Sequence, residues 1–113
     1  MINQDKEKVG LGFLEEQNDE LPTEFLLEQN YPNPFNPSTS IQYAISSRQF
    51  VMLKVYDILG REIETIVNEE KPAGTYEITW NAADLPNGVY FYQLQAGPSA
   101  DEFIDVKKMI LLK

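Results

Sequence analysis

Short apolar runs and turn-forming residues alternate regularly along this chain from Phe25 onward, and this spacing limits the fold more than any other feature. The runs are rich in β-branched and aromatic residues, and Pro, Gly or Asn interrupts them about every eight to twelve residues. Such spacing is typical of β-sandwiches and β-barrels. It predicts an all-β fold of about seven strands, either a sandwich or a barrel. The predicted strands are Phe25–Gln29, Ser40–Ile45, Phe50–Asp57, Glu62–Asn68, Gly74–Trp80, Gly88–Gln95 and Glu102–Leu112.

Apolar residues recur at every second position within three of these strands, which places them on one face of a strand. We therefore expect them to form the core. They are Ile41, Tyr43 and Ile45, then Val51, Leu53 and Val55, and then Tyr76, Ile78 and Trp80.

Turn-forming residues separate the strands and have predicted structural roles. Gly60 lies in the turn from Ile58 to Arg61, where glycine permits a positive φ. Pro34 is the middle proline of a segment that includes Pro32 and Pro37. Because prolines cannot donate ladder hydrogen bonds and favour extended neighbours, we expect an ordered extended loop or an edge segment there.

The charge distribution excludes one class of partner. The net charge is −9, and residues 1–30 carry −6 of it. No run of Lys or Arg accompanies the aromatic residues, so the chain lacks the cations that neutralise phosphates. We predict no nucleic-acid partner.

The absence of both His and Cys removes imidazole bases, thiol nucleophiles and ordinary zinc ligands. The pairs Glu62 with Glu64, and Glu69 with Glu70, fit solvated strand faces better than glycosidase acid–base chemistry. The loop residues Asn81, Asp84 and Asn87 offer oxygen ligands for calcium, but one carboxylate supplies too little charge. We predict no catalytic residues, no cofactor and no metal site, and hence no enzyme.

The first 23 residues differ from the rest in composition. They are rich in Asp, Glu, Gln and Asn, and we expect an acidic linker, or a segment added for expression, that is disordered. A short helix from Val9 to Glu16 is the alternative. Met1 begins no signal peptide, and no apolar stretch is long enough to cross a membrane as a helix, so we expect no direct membrane insertion. This predicts a cytoplasmic protein or a fragment of a longer chain, in which the domain spans residues 24–113.

Four segments considered together resemble a known family. They are YPNPFNPST from Tyr31 to Thr39, VYDILGRE from Val55 to Glu62, LPNGVYFYQL from Leu85 to Leu94, and KKMILLK from Lys107 to Lys113. In order and spacing they resemble the type A C-terminal sorting domain of bacterial type IX (Por) secretion. The resemblance departs at Asp105, which interrupts an apolar face, and at a long connection from Ala96 to Glu102, leaving the register of the last strand open.

The resemblance implies an all-β, immunoglobulin-like antiparallel β-sandwich, related to the Ig-like domain of the flagellar hook capping protein, at the end of a larger exported protein. It implies a non-catalytic sorting and attachment role, with passage through the periplasm and recognition by the outer-membrane translocon. It also implies processing by a surface sortase-like peptidase and a parent, with upstream cargo domains, that is secreted or on the cell surface. By resemblance, the signal maps to Gly88, Val89, Tyr90, Lys107, Lys108, Met109, Ile110, Leu111, Leu112 and Lys113.

Other interpretations of these residues stay open at this point. Trp80 with Tyr90, Phe91 and Tyr92 has the composition of a sugar-stacking platform, so an accessory module that binds a glycan or a protein is the alternative function. Tyr90 also fits a tyrosine corner, whose hydroxyl bonds the backbone a few residues upstream. The last strand is either a core strand with charged edges or a docking signal.

Overall fold

The computed structural model describes residues 21–97 and 103–113, in which seven strands lie in two sheets. The alternative helix from Val9 to Glu16, and the predicted linker as far as residue 20, lie outside the described residues. The strands are β1 (Leu26–Leu27), β2 (Ser38–Ile45), β3 (Gln49–Tyr56), β4 (Glu62–Lys71), β5 (Gly74–Asn81), β6 (Gly88–Ala96) and β7 (Phe103–Leu111).

The sheets have the strand orders β1-β2-β5 and β4-β3-β6-β7, and every strand pair is antiparallel. The chain crosses between sheets after β2, β4 and β5, and it forms hairpins at β3–β4 and β6–β7. The predicted all-β sandwich is confirmed. No helix long and apolar enough to span a membrane occurs among the described residues.

Residues at every second position fill the space between the sheets. Six of the nine predicted core residues, on β2 and β3, are almost fully buried, and Trp80 on β5 is 3% exposed. Tyr76 and Ile78 are half-buried and pack against the core at its margin. The fully buried set on β2 and β3 is Ile41, Tyr43, Ile45, Val51, Leu53 and Val55.

Strand β4 departs from simple alternation because it contains two irregularities. The register against β3 shifts between Leu53 and Lys54, and again between Val55 and Tyr56. Each shift leaves one extra residue on β4, as a β-bulge does. The extra residues, Ile66 and Ile63, pack against the core, so the bulges place both isoleucines in the apolar layer.

Strand boundaries differ from the prediction by a few residues. β1 has only two residues, because the Glu28 carbonyl and the Asn30 N–H that follow it bond the Tyr92 hydroxyl and not the backbone of β2. β4 continues to Lys71, pairing with Gln49, since a hairpin ladder needs backbone groups and not apolar side chains. β7 pairs with β6 without a shift from Gly88–Leu111 to Ala96–Phe103, which settles its register; part of the Ala96–Glu102 connection lies outside the described residues.

Candidate functional site

Segments far apart in the sequence meet at one end of the sandwich. Gly88 pairs with Leu111 across β6 and β7, and Phe35 forms a parallel bridge to the same Leu111. The Ala82 N–H donates to the Pro37 carbonyl at 2.9 Å. The turn that follows β3 and the loop that precedes β6 line one groove. We call this the motif end; it comprises residues 31–39, 57–61, 82–90 and 110–113.

The proline-rich segment is held at the motif end through Phe35. The Phe35 N–H donates to the Ile110 carbonyl at 2.9 Å, and the Leu112 N–H donates to the Phe35 carbonyl at 3.0 Å. The Phe35 ring is buried, with its centroid 6.0 Å from that of Trp80. The segment is thus an edge segment, as one of the two sequence interpretations stated, and the exposed Pro34 precedes its buried anchor.

A buried polar network fixes the start of this segment. The Asn30 Nδ2 group donates to Thr39 Oγ1 at 2.9 Å and to the Pro32 carbonyl at 3.1 Å. Thr39 Oγ1 in turn donates to the same carbonyl at 2.9 Å. Both side chains are 2% exposed. The sequence analysis did not identify these two residues; a buried polar residue beside a proline run is detectable only once the partners are known.

Tyr92 supplies the other support of this network, from the centre of β6. Its hydroxyl accepts from the Asn30 N–H and donates to the Glu28 carbonyl, both at 2.7 Å. The ring is fully buried, and burial raises the pKa of Tyr92 to about 12. Tyr92 therefore joins the four-stranded sheet to the backbone that leads into the proline-rich segment.

Replacing Tyr92 by Phe is expected to destabilise the fold by about 1–3 kcal/mol, because the buried Asn30 N–H and the partly buried Glu28 carbonyl lose their partner while the ring volume is kept. Urea unfolding measures this loss. Tyr31→Phe, at a side chain that is 79% exposed, is the control and should stay within about 0.5 kcal/mol of the parent. Equal effects of the two changes would contradict the network.

The contribution of the same hydroxyl to stability should depend on pH in the alkaline range. The pKa of Tyr92 rises from 10.0 to about 12 on folding, so the folded state favours the neutral phenol. The stability that this difference contributes is complete below about pH 10 and is lost as the pH rises toward 12. The free energy of unfolding, measured across this pH range, should fall less steeply with pH for Tyr92→Phe than for the parent. Parallel curves for the two proteins would contradict the shift.

The turn between β3 and β4 presents two apolar side chains on a fixed backbone. Asp57 Oδ1 accepts from the N–H groups of Leu59 and Arg61 at 2.9 and 3.0 Å, and the Arg61 Nε group donates to Asp57 Oδ2 at 2.7 Å. The backbone hydrogen bond from Arg61, then its side chain and Leu59, lower the pKa of Asp57. Gly60 has a φ of 84°. Ile58 and Leu59 are 68% and 73% exposed.

Two grooves flank this turn. One, of about 380 Å³, lies between the turn and the loop before β6, and Leu59, Leu85 and Val89 contribute to its walls. The other, of about 340 Å³, lies on the outer face of the four-stranded sheet beside Phe91 and Val106. Ile58 contributes to both. The motif end thus combines protruding apolar side chains with adjacent concave surfaces.

Tyr90 makes the hydrogen bond of a tyrosine corner. Its hydroxyl donates to the Pro86 carbonyl at 2.7 Å, which fixes the loop before β6, and burial raises its pKa. The ring lies edge-on to Trp80 at 6.4 Å, and the Trp80 Nε1 group donates to Glu64 Oε1 at 2.8 Å. Trp80, Tyr90 and Tyr92 are all buried, so they do not present the sugar-stacking platform that the sequence left open.

Gly88 occupies a backbone conformation that side chains rarely adopt, with a φ of 155°. A Cβ built there meets nothing within 4 Å, so the constraint comes from the backbone and not from crowding. Gly88→Ala is therefore expected to cost about 1–3 kcal/mol, measured by urea unfolding. If it proves neutral, the conformation does not explain the glycine, and direct contact by a partner becomes the better explanation.

Strand β7 divides the predicted signal residues between two faces. Met109 and Leu111 are fully buried. Lys107 lies on the same face, opposite Tyr92, with Nζ 3.9 Å from Asp105 Oδ2. The outward set is Lys108, Ile110, which is half-buried, and Leu112, which is 58% exposed. The last strand is therefore a core strand whose other face is available for contact.

Two of the three side chains considered for calcium, Asn81 and Asn87, have protein partners in this structure. Asn81 Oδ1 accepts from the Ala83 N–H at 2.8 Å, and Asn87 Oδ1 accepts from the Lys113 N–H at 2.9 Å. Within residues 21–97 and 103–113, no cluster of Asp, Glu, His and Cys has the composition of a metal site. The two asparagine side chains thus accept from backbone N–H groups, one within this loop and one at Lys113.

Comparison with known proteins assigns the fold and the family. The family model described as the secretion system C-terminal sorting domain matches residues 29–111. A crystal structure of dimeric latent PorU from Porphyromonas gingivalis is similar over 86% of this chain, with 19% identity and a TM-score of 0.59.

That similarity covers 10% of the PorU chain, so the present chain spans about a tenth of that protein, and the likeness concerns the fold alone. No curated protein sequence matches the chain. The family match takes in all four motif segments nearly to the end of the last one. The chain belongs to the family of secretion system C-terminal sorting domains, which are sorting signals for type IX secretion.

Proposed function

We propose that the motif end is the surface by which the outer-membrane type IX translocon recognises this domain. The observation that carries the proposal is the meeting of all four family segments at one end: Leu111 contacts both Phe35 and Gly88, and the turn at 57–61 shares a groove with residues 85–90. Ile58 and Leu59 protrude there from a turn held by Asp57. Protruding apolar groups on a fixed backbone lose little entropy when they bind a partner.

The signal residues then act in two ways. Five of them present side chains for contact: Val89, Lys108, Ile110, Leu112 and Lys113. The others act through shape. Gly88 permits the backbone path, Tyr90 fixes the loop, Met109 and Leu111 anchor β7 in the core, and Lys107 pairs with Asp105 on the inner face.

The direction of the chain supports this assignment. Phe25 stacks on Phe103 with ring centroids 5.5 Å apart, so the chain enters β1 beside the first residue of β7. The motif end lies at the other end of that nine-residue strand, about 30 Å away. Cargo attached upstream would therefore lie at the opposite end from the motif end and leave the recognition surface open.

The remaining roles follow from this assignment. The acidic segment from Met1 to Thr23 would join the domain to upstream cargo and would offer the site at which a surface sortase-like peptidase releases or exchanges the domain. The parent protein would pass through the periplasm to the cell surface or the medium. The domain itself would contribute recognition and no catalysis.

A reporter tests this function. The 113-residue chain is fused after a signal peptide and a fluorescent or enzymatic reporter in a host with a working type IX system, with an otherwise identical host lacking that system as control. We expect the reporter at the cell surface or in the medium of the first host only. Retention in the periplasm of both hosts would contradict the proposal.

A further inference from the structure

The last residue of the chain is tied to the loop that precedes β6. The Lys113 N–H donates to Asn87 Oδ1 at 2.9 Å, and the Lys113 Nζ group donates to the Ala83 carbonyl at 2.9 Å. Lys113 lies two residues beyond the end of β7, where the ladder with β6 has stopped. These two bonds therefore extend order from the strand to the chain end.

The loop that receives Lys113 is itself fixed on several sides. Tyr90 holds the Pro86 carbonyl through the tyrosine corner at 2.7 Å. The Leu85 N–H donates to the Ala82 carbonyl at 3.0 Å, and the Ala82 N–H donates to the Pro37 carbonyl at 2.9 Å. Because this loop contacts both sheets, it offers Lys113 a support that moves little relative to the core.

We propose that Asn87 is a positioning residue that holds Lys113 in a fixed place on the motif end, so that the translocon meets an ordered cation and not a mobile one. This rests on the proposed function. The hydrogen bond from Lys113 to Asn87 joins two of the family segments. Tyr90 fixes the loop that carries Asn87, and Asn87 in turn fixes Lys113. The Lys113 ammonium has three donors, and Ala83 engages one, so the partner group that fits it is a carboxylate.

Amide hydrogen exchange of the 113-residue chain, followed by NMR, tests the tie directly. In Asn87→Ala the Lys113 amide should exchange roughly 2- to 10-fold faster than in the parent, as expected for loss of one hydrogen bond. Asn87→Asp keeps an acceptor oxygen and should restore slow exchange. Asn68→Ala, at an exposed asparagine on β4, is the control and should change nothing. Equal exchange in the parent and Asn87→Ala would overturn the inference.

The same variants in the secretion reporter test the consequence. Asn87→Ala and Lys113→Met should each lower export, whereas Asn87→Asp and Lys113→Arg should keep it. If Asn87→Ala loosens Lys113 but is exported like the parent, the positioning role is wrong while the sorting function stands. If the parent reporter itself is not exported, the proposed recognition fails and the positioning role falls with it.

Discussion

Export of the reporter is expected to fall at least about ten-fold when Ile58 and Leu59 are both replaced by serine. These side chains are 68% and 73% exposed at the tip of a turn that Asp57 fixes, and two grooves adjoin them. Full burial of a leucine or isoleucine side chain contributes about 1.5–3 kcal/mol, so the loss of both side chains exceeds the 1.4 kcal/mol that corresponds to about a ten-fold change. The ratio of reporter outside the cell to reporter in the periplasm measures the effect.

A matched double variant distinguishes the loss of a recognition surface from the general effect of replacing exposed apolar side chains by serine. Leu26 and Phe50 are also large and apolar, and they are 47% and 45% exposed. They lie at the far end of the sandwich, where Leu26 pairs with Ala44 and Phe50 with Glu70. Leu26→Ser with Phe50→Ser should leave export near the parental level, and melting curves should show that both double variants fold. Equal export from both would contradict recognition at the motif end.

Phe35→Ala is expected to be the most destabilising single change at the motif end, costing about 3–5 kcal/mol. The ring is 1% exposed and lies beside Trp80, so its removal leaves a cavity between the two sheets. The ladder bonds of Phe35 to Ile110 and Leu112 would lose the side chain that anchors them. Urea unfolding of the isolated chain measures the loss.

Phe50→Ala is the control for that measurement, because the Phe50 ring is 45% exposed and its loss should cost under about 1 kcal/mol. A small cost for Phe35→Ala, similar to that of the control, would show that the proline-rich segment is not anchored as described. Phe35→Leu should destabilise the fold less than Phe35→Ala, since the leucine side chain fills part of the cavity.

Much of the fold was predictable because its signal is local. The alternation in Ile41, Tyr43 and Ile45 follows directly from the two-residue repeat of a strand, and all three are buried. The turn from Ile58 to Arg61 needs a residue with positive φ, and Gly60 supplies it. Features of this kind depend on a few neighbouring residues, so they can be predicted from the sequence.

The rest depends on partners that are distant in the sequence. Tyr92 bonds Asn30 and Glu28 across more than sixty residues, and no pattern near Tyr92 announces this. Ile63 and Ile66 pack against the core because they are the extra residues of the two bulges in β4. The resemblance placed the signal on a run of adjacent residues, and pairing with β6 is what divides that run between a buried and an outward face.

This division changes how the terminal signal is to be tested. Deleting Lys107 to Lys113 removes Met109 and Leu111, which are fully buried, so loss of export after the deletion would reflect loss of the core as much as loss of a signal. Substitutions at the outward positions Lys108 and Leu112 keep the core intact. These substitutions therefore test only the side chains that a partner can contact.

Photocrosslinking during export tests the central claim most directly. A benzophenone amino acid is placed at position 59, or at position 50 on the far end, in the reporter fusion within a host that has the type IX system. Recognition at the motif end predicts a covalent adduct with an outer-membrane component of that system from position 59 and none from position 50. An adduct from position 50 without one from position 59 would show that the translocon contacts the other end of the sandwich.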